Sequence, residues 1–559
     1  MNPTAPSSPS PGTPATAGAQ HRGADLADLV DRTDLVALPV GFPTGAGLPP
    51  VVLELGRLFE AAGHELSLVG GPVRDLFLGR VSPDLDFTTD ADPDTTLRIA
   101  RKWADAHWDI GRKFGTIGFS KGGWQLEVTT YRAEKYDHDS RKPQVAFGDS
   151  LDEDLLRRDF TVNAMAIRLP SLDLVDLFGG VKDLAAGRLR TPGTPEDSFS
   201  DDPLRMMRAA RFASQLGIGV DPSVVEAMSA MSERISIISA ERVRDELVKL
   251  VNGSHPRAGL NLLVDTGLAE HVLPELPALK LETDEHHRHK DVYEHSLTVL
   301  EQAMDHEYPA ELEEQWAAEH PKAPGDGPAG VGETSEAGEA GDDSDGETET
   351  ERFAPPSGTY VPAPDFVLRF AALLHDVGKP ATRRFEPNGA VTFRHHDVVG
   401  AKLVKQRMRA LKFDNDTIKA VARLVELHMR FYGYGDAGWT DSAVRRYVND
   451  AGPVLPRLHA LTRSDVTTRN RRKAERLAFA YDDLERRMVE IAEKEELQAV
   501  RPDLDGSQVM QILGIKPGPV VGRAYKHLLE YRLDEGPHDE ETATAELLRW
   551  WAEQPESVG

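Results

Sequence analysis

A chain of 559 residues, 40% hydrophobic and 28% charged, fits a soluble globular protein of three or four domains at roughly 150 residues each. It has no cysteine, which excludes disulfides and thiolate metal sites. The formal charge of −27 argues against phosphate binding only until it is mapped: residues 311–351 carry fourteen acids against one lysine, a net of −13. Basic clusters remain elsewhere, at Arg157-Arg158, at Arg205/Arg208/Arg211 and at Arg469–Lys473.

Residues 1–30 lack the apolar side chains that offset ordering entropy and read as a disordered tail. No hydrophobic segment there resembles a secretory signal, and the longest apolar run, Phe366–Leu374, is interrupted by Arg369. The expected location is the cytoplasm, with no membrane partner. Strand-like runs follow at Leu66–Val69, Leu85–Thr88, Ile117–Ser120 and Leu126–Tyr131. From Asp201 the apolar spacing becomes helical, over Pro203–Leu216, Ala240–Val251, Phe366–Leu374, Ala401–Leu411, Asp416–His428 and Ala474–Lys494. The expected fold class is α+β: a head with a mixed or antiparallel sheet over 31–185, then an all-α remainder. That remainder divides into a neck over 186–255, a body over 256–309 and 359–470, and a tail over 471–559. An acidic insertion over 310–358 reads as disordered.

In the head, Gly70-Gly71 lies between an apolar strand and a helix opening at Pro72, so backbone N–H groups at a helix start are free to receive phosphate. Asp84 and Asp86 are two apart in a strand, which turns both carboxylates to one face. Such a pair suits Mg²⁺, which favours carboxylates completed by substrate phosphates.

The segment Leu68–Phe87 resembles the signature of the DNA polymerase beta nucleotidyltransferase superfamily, in its bacterial CCA-adding and poly(A) polymerase branch. Four further segments match that branch in order: Glu127–Arg132, Asp154–Ala164, Asp176–Asp183 and Asp201–Phe212. The resemblance implies template-independent addition of the 3′-terminal CCA of tRNA from CTP and ATP. It implies that Asp84 and Asp86 hold Mg²⁺ and that Glu127 is a third catalytic carboxylate. Gly70, Gly71, Arg74, Arg157, Arg158, Asp159 and Asn163 are then nucleotide-binding; guanidinium pairs match phosphate oxygens, and a carboxylate accepts from a ribose hydroxyl.

Asp202, Arg205, Arg208 and Arg211 recur every three residues. On a helix the first three span a face about 120° wide, and Arg211 drifts to its side. In the family the matching Asp and Arg read the incoming base, with Glu where this chain has Asp201. Asp before Pro is also a standard helix start, so Asp202 has a second reading as a cap.

His295, His375-Asp376, His396, His428 and Asp465 form a second series. It resembles the HD phosphohydrolase domain, in which such residues converge on one or two divalent ions, either a transition metal or Mg²⁺. Two other readings stay open: a poly(A) polymerase or partial adder of CC or A, and an HD phosphohydrolase whose head merely binds nucleotides. Nothing in the sequence sets an oligomeric state.

Overall fold

The computed structural model describes residues 36–37, 47–131, 150–280, 291–308, 361–387, 391–434, 439–466, 471–495 and 502–554. The expected N-terminal tail and acidic insertion lie outside them. The chain divides into two compact units, Met1–Asp201 and Asp202–Gly559.

The first unit is built on a seven-stranded sheet. Its strands in chain order are β1 (Leu66–Val69), β2 (Asp84–Thr89), β3 (Ala106–Trp108), β4 (Thr116–Lys121), β5 (Trp124–Thr130), β6 (Ala166–Leu169) and β7 (Asp173–Val175). Their order across the sheet is β3-β4-β5-β2-β1-β6-β7. Every neighbouring pair is antiparallel except β2 with β5, which run parallel. The expected mixed sheet is present, with three strands the sequence reading did not anticipate: β3, β6 and β7. Leu85 and Phe87 of β2 and Trp124, Leu126 and Val128 of β5 point into a core shared with Val52, Leu55 and Phe59 of helix α1 (Pro50–Ala61). Alternation then forces the intervening Asp84, Asp86, Gln125 and Glu127 outward.

The second unit is predominantly helical. A short helix α2 (Pro195–Asp201) ends the first unit, and α3 (Leu204–Leu216) opens the second and packs on α4 (Ala240–Val251). Further on, α5 (Val292–Met304), α6 (Phe366–Leu374), α7 (His396–Ala410), α8 (Asn415–Leu427) and α9 (Leu455–Ser464) form a bundle. Its core includes Leu297, Leu300, Phe370, Leu373, Val421, Leu424, Leu458 and Leu461, each fully buried. At about 25 cal/mol per Å² of apolar surface, burial on this scale is what holds the helix ends in register. No helix among the described residues is long and apolar enough to cross a membrane.

Candidate active site and metal centre

Two pairings assemble the head site. Parallel registry sets Asp84 beside Gln125 and Asp86 beside Glu127. Asp84, Asp86 and Glu127 are all exposed, while their strand neighbours Leu85, Leu126 and Val128 are buried. Three carboxylates therefore stand on one face of adjacent strands. This donor set, carboxylate oxygens open to solvent, fits a hard cation that takes its remaining ligands from a substrate.

The antiparallel pairing of β1 with β6 does the rest. Val69 faces Ala166, so the turn after β1 meets the residues just before β6. Gly70 has φ 76° and ψ −134°, a backbone that suits glycine alone. A Cβ there would also stand 2.9 Å from Nη1 of Arg158. Arg74, one turn into the helix Gly71–Phe77, donates from Nη1 to Oδ1 of Asn163 at 2.8 Å and from Nη2 to Asp75 at 2.7 Å. Asn163 donates in turn to Oδ1 of Asp159 at 3.1 Å, which also accepts the Phe160 N–H at 2.8 Å. Arg158 pairs with Asp154 at 3.2 Å. Gly70, Arg74, Arg158, Asp159 and Asn163, up to 93 positions apart in sequence, form one network at the sheet end that carries Asp84. Arg157 sits half-buried beside Arg158.

Asp183, which closes the segment Asp176–Asp183, lies outside the expected site residues. It is fully buried and accepts from Thr161 at 2.7 Å, from Arg188 at 2.8 Å and from Arg190 at 3.0 Å. Burial pushes its carboxyl up, but these donors outweigh it and hold it below the usual range. Through Thr161 it braces the short turn Thr161–Asn163 that aims Asn163 at Arg74. The sequence signal was an Asp with two arginines five and seven residues on.

Asp202 does not lie on a helix, which corrects the expectation of one continuous face from 202 onward. It stands between α2 and α3, because Pro203 has no N–H to continue a ladder. Its Oδ1 accepts the Leu204 N–H at 3.1 Å, and its Oδ2 accepts from Arg242 of α4 at 2.9 Å. Asp202 thus bonds the first N–H of α3 from the residue before its N-cap, Pro203, and its second oxygen is paired with an arginine outside the expected set. Arg205 and Arg208 follow on α3, half-buried. Arg211 turns aside to Glu246 of α4 at 2.6 Å and covers the Phe212 ring at 3.9 Å.

The second unit gathers all six residues of the HD-like series. His375 follows α6, His428 follows α8 and Asp465 follows α9, each as the residue that ends its helix; His396 begins α7 and His295 lies in the second turn of α5. His295 Nε2 is 3.0 Å from Asp465 and 3.7 Å from Asp376. His375 Nε2 is 3.2 Å from Asp376, and His396 Nε2 is 3.3 Å from its other oxygen. Lys379 reaches Asp376 at 2.6 Å. Burial works against charge on His375, yet Asp376 beside it drives that imidazole up to about 9. Burial, with His375 nearby, pushes His428 down to about 4. Against burial, His375, His396 and Lys379 hold Asp376 well below the carboxylate range. A buried cluster of imidazoles and carboxylates is the donor chemistry of a resident divalent ion.

A sheet with outward carboxylates, a glycine turn and an arginine network defines a nucleotidyltransferase head, here followed by a helical unit with an HD-type pocket. Comparison with known proteins agrees. Residues 66–190 match the poly(A) polymerase head domain, 217–279 a probable RNA and SrmB-binding site of polymerase A, and 350–470 the HD domain. His295 lies outside that last match, separated from it by the insertion. The A-adding tRNA nucleotidyltransferase of Deinococcus radiodurans is 32% identical over 498 residues, covering 88% of this chain and 96% of the relative. The chain belongs to the tRNA nucleotidyltransferase family. The CCA-adding enzyme of Lactobacillus helveticus is 44% identical over 217 residues, 39% of this chain. Of that relative and similar ones the chain spans about half the length, 53% in this case. In fold it resembles the Bacillus stearothermophilus CCA-adding enzyme in complex with CTP, at TM-score 0.56 and 22% identity over 89% of this chain and 96% of that one.

Proposed function

We propose that the protein extends the 3′ end of tRNA without a nucleic-acid template, adding or repairing CCA from CTP and ATP in the cytoplasm. The observation that carries this reading is the registry of Asp86 with Glu127, with Asp84 on the same face and the Gly70 turn at the same sheet end. The primer 3′-hydroxyl attacks the α-phosphorus of the nucleotide, a P–O bond forms, and pyrophosphate leaves. Asp84 and Asp86 would hold Mg²⁺, which supplies charge neutralisation on the triphosphate and acidifies the hydroxyl. Glu127 stands beside Asp86 to accept the proton of that hydroxyl. Arg74 and Arg158 flank the glycine turn and bind phosphate oxygens, and Asp159 with Asn163 receives the ribose.

Base choice follows from hydrogen-bond polarity. Asp202 only accepts and Arg205 only donates. Cytosine and adenine each offer an amino donor beside a ring acceptor. Uracil and guanine offer a carbonyl beside an N–H, which sets acceptor against acceptor and donor against donor. Leaving such groups unpaired costs about 1–3 kcal/mol each.

One observation favours a narrower activity. The relative that aligns through the HD region as well as the head is named an A-adding enzyme. Three tRNA substrates separate the two readings, ending at the discriminator base, at the first C and at the second C. Each is offered CTP and ATP singly and together. Complete addition requires CTP incorporation on the first two; incorporation of ATP alone, on the third alone, identifies the A-adder. No transfer to any of them overturns the proposal.

A further inference from the structure

We propose that the indole ring of Trp108 is the platform on which the last base of the RNA primer stacks while its 3′-hydroxyl reacts. The inference rests on the reading of the head as a nucleotidyltransferase that extends RNA, and it adds a place for the primer base.

Strand β3 lies at the edge of the sheet, and its pairing with β4 sets Trp108 opposite Gly118. Gly118 in turn faces Glu127 of β5, and Glu127 faces Asp86 of β2. One row across four strands therefore reads Trp108, Gly118, Glu127, Asp86. Residues paired across a sheet point to the same face, so the indole shares the outward face with the carboxylates. Ile117 and Phe119, on either side of Gly118, are fully buried on the other face. The ring lies down over Gly118: a Cβ there would stand 2.0 Å from Trp108 Cε2 and 2.1 Å from Nε1. Gly118 is buried beneath it, whereas the ring itself is only half-buried. Neighbouring strands are about 4.7–4.9 Å apart, so the ring's seat is one strand spacing from the backbone of Glu127. Among the described residues of these four strands, Trp108 is the one aromatic at an outward position.

The row has a direction. The Gly70 turn follows β1, on one side of β2, and Trp108 lies beyond β5 on the other side. In an in-line displacement the leaving pyrophosphate and the attacking hydroxyl stand on opposite sides of the phosphorus. With the pyrophosphate at the glycine turn, the hydroxyl arrives from the β5 side, where Glu127 receives its proton. The base on that hydroxyl's ribose then falls over the next strand outward, onto Gly118 and the indole. Every base has a π face, so an aromatic platform accepts whichever base ends the primer. The competing role is structural, since an aromatic laid over a strand glycine also stabilises a sheet.

A tRNA ending in CC, with pyrrolocytosine as its last base, separates the two; this fluorescent cytosine dims when stacked. It is bound to the full chain without ATP, and then extended with it. Wild type is expected to dim the bound primer, and Trp108→Phe to keep most of that change. Trp108→Leu, which covers Gly118 without a π face, should lose the dimming. Its KM for tRNA should rise about tenfold and its KM for ATP stay within about twofold. Dimming of wild-type size, or an unchanged KM for tRNA, in folded Trp108→Leu overturns the platform. Where that variant fails to fold, a primer ending in 5-iodocytidine is crosslinked to the wild type by light and mapped by mass spectrometry. Attachment at Trp108 supports the platform, and attachment elsewhere or none overturns it. A wild type that extends the pyrrolocytosine primer without dimming it overturns this inference alone, and one that extends no tRNA overturns the nucleotidyl-transfer reading with it.

Discussion

The two acidic sites of this chain are opposites in construction. Asp84, Asp86 and Glu127 sit exposed on adjacent strands, where alternation alone sets their direction. The HD-type cluster is held at helix ends, with His375, Asp376, His396 and His428 all buried. An exposed carboxylate face pays little desolvation and stays open until a nucleotide brings its phosphates. A buried imidazole cluster is costly to leave empty and suits an ion that stays. The contrast teaches that similar ligand-bearing residues can be set in an open face suited to a visiting cation or in a buried cluster suited to a resident one.

The sharpest way to break that comparison is to remove one carboxylate from the open face. Asp84→Ala should lower nucleotide addition by about 10²–10³-fold, since a lost metal ligand forfeits several kcal/mol of transition-state stabilisation. Its transition-metal content, measured on the same sample, should be unchanged. The reciprocal variant, His375→Ala, should lose bound transition metal and any metal-dependent phosphoesterase activity. Its nucleotide addition should stay within about threefold of wild type, as its site is in the other compact unit. If transfer collapses in a folded His375→Ala protein, the sites are not independent.

A smaller effect should appear in base choice. Asp202→Asn keeps a cap for Leu204 but reverses polarity at one atom, so it should cut CTP and ATP use about tenfold and raise relative UTP and GTP incorporation. Competition among the four nucleotides on one tRNA reads this directly, and wild-type selectivity would leave Asp202 as a cap alone. Arg242→Ala should shift selectivity only about two- to fivefold, because its pair with Asp202 is half exposed. The smallest effect on chemistry belongs to Asp183→Asn. It should leave selectivity intact and destabilise the head by about 1–2 kcal/mol in urea, since Arg188 and Arg190 are partly solvated and can rehydrate.

How much of this was legible in the sequence differs between the regions for the same physical reason. The four expected strands carry apolar residues on a period of two, and each appears within two residues of its expected limits. The strand Ala166–Leu169 was missed because four residues, three of them buried and only Arg168 partly exposed, carry too little alternation, and Ala106–Trp108 because it is a short edge strand with an exposed start. Without Ala166–Leu169 the meeting of Gly70 with Arg158 and Asn163 could not be seen, although each was named. In the helical unit the six ligand-type residues were named from their order along the chain, and the structure brings all six together. That His375 faces one oxygen of Asp376 and His396 the other depends on helix packing, and no local pattern encodes it. The placement of Asp202 off the helix was foreshadowed by Pro203, and its partner Arg242, forty residues away, was not.

The most direct test of the central claim, that the exposed carboxylate face carries nucleotide transfer, is Asp86→Asn, which removes charge and keeps shape. tRNA affinity and single-turnover addition of CMP and AMP would be measured on one preparation. The account predicts affinity within about threefold of wild type and transfer reduced at least roughly a hundredfold. Transfer within about tenfold of wild type at unchanged affinity would contradict it.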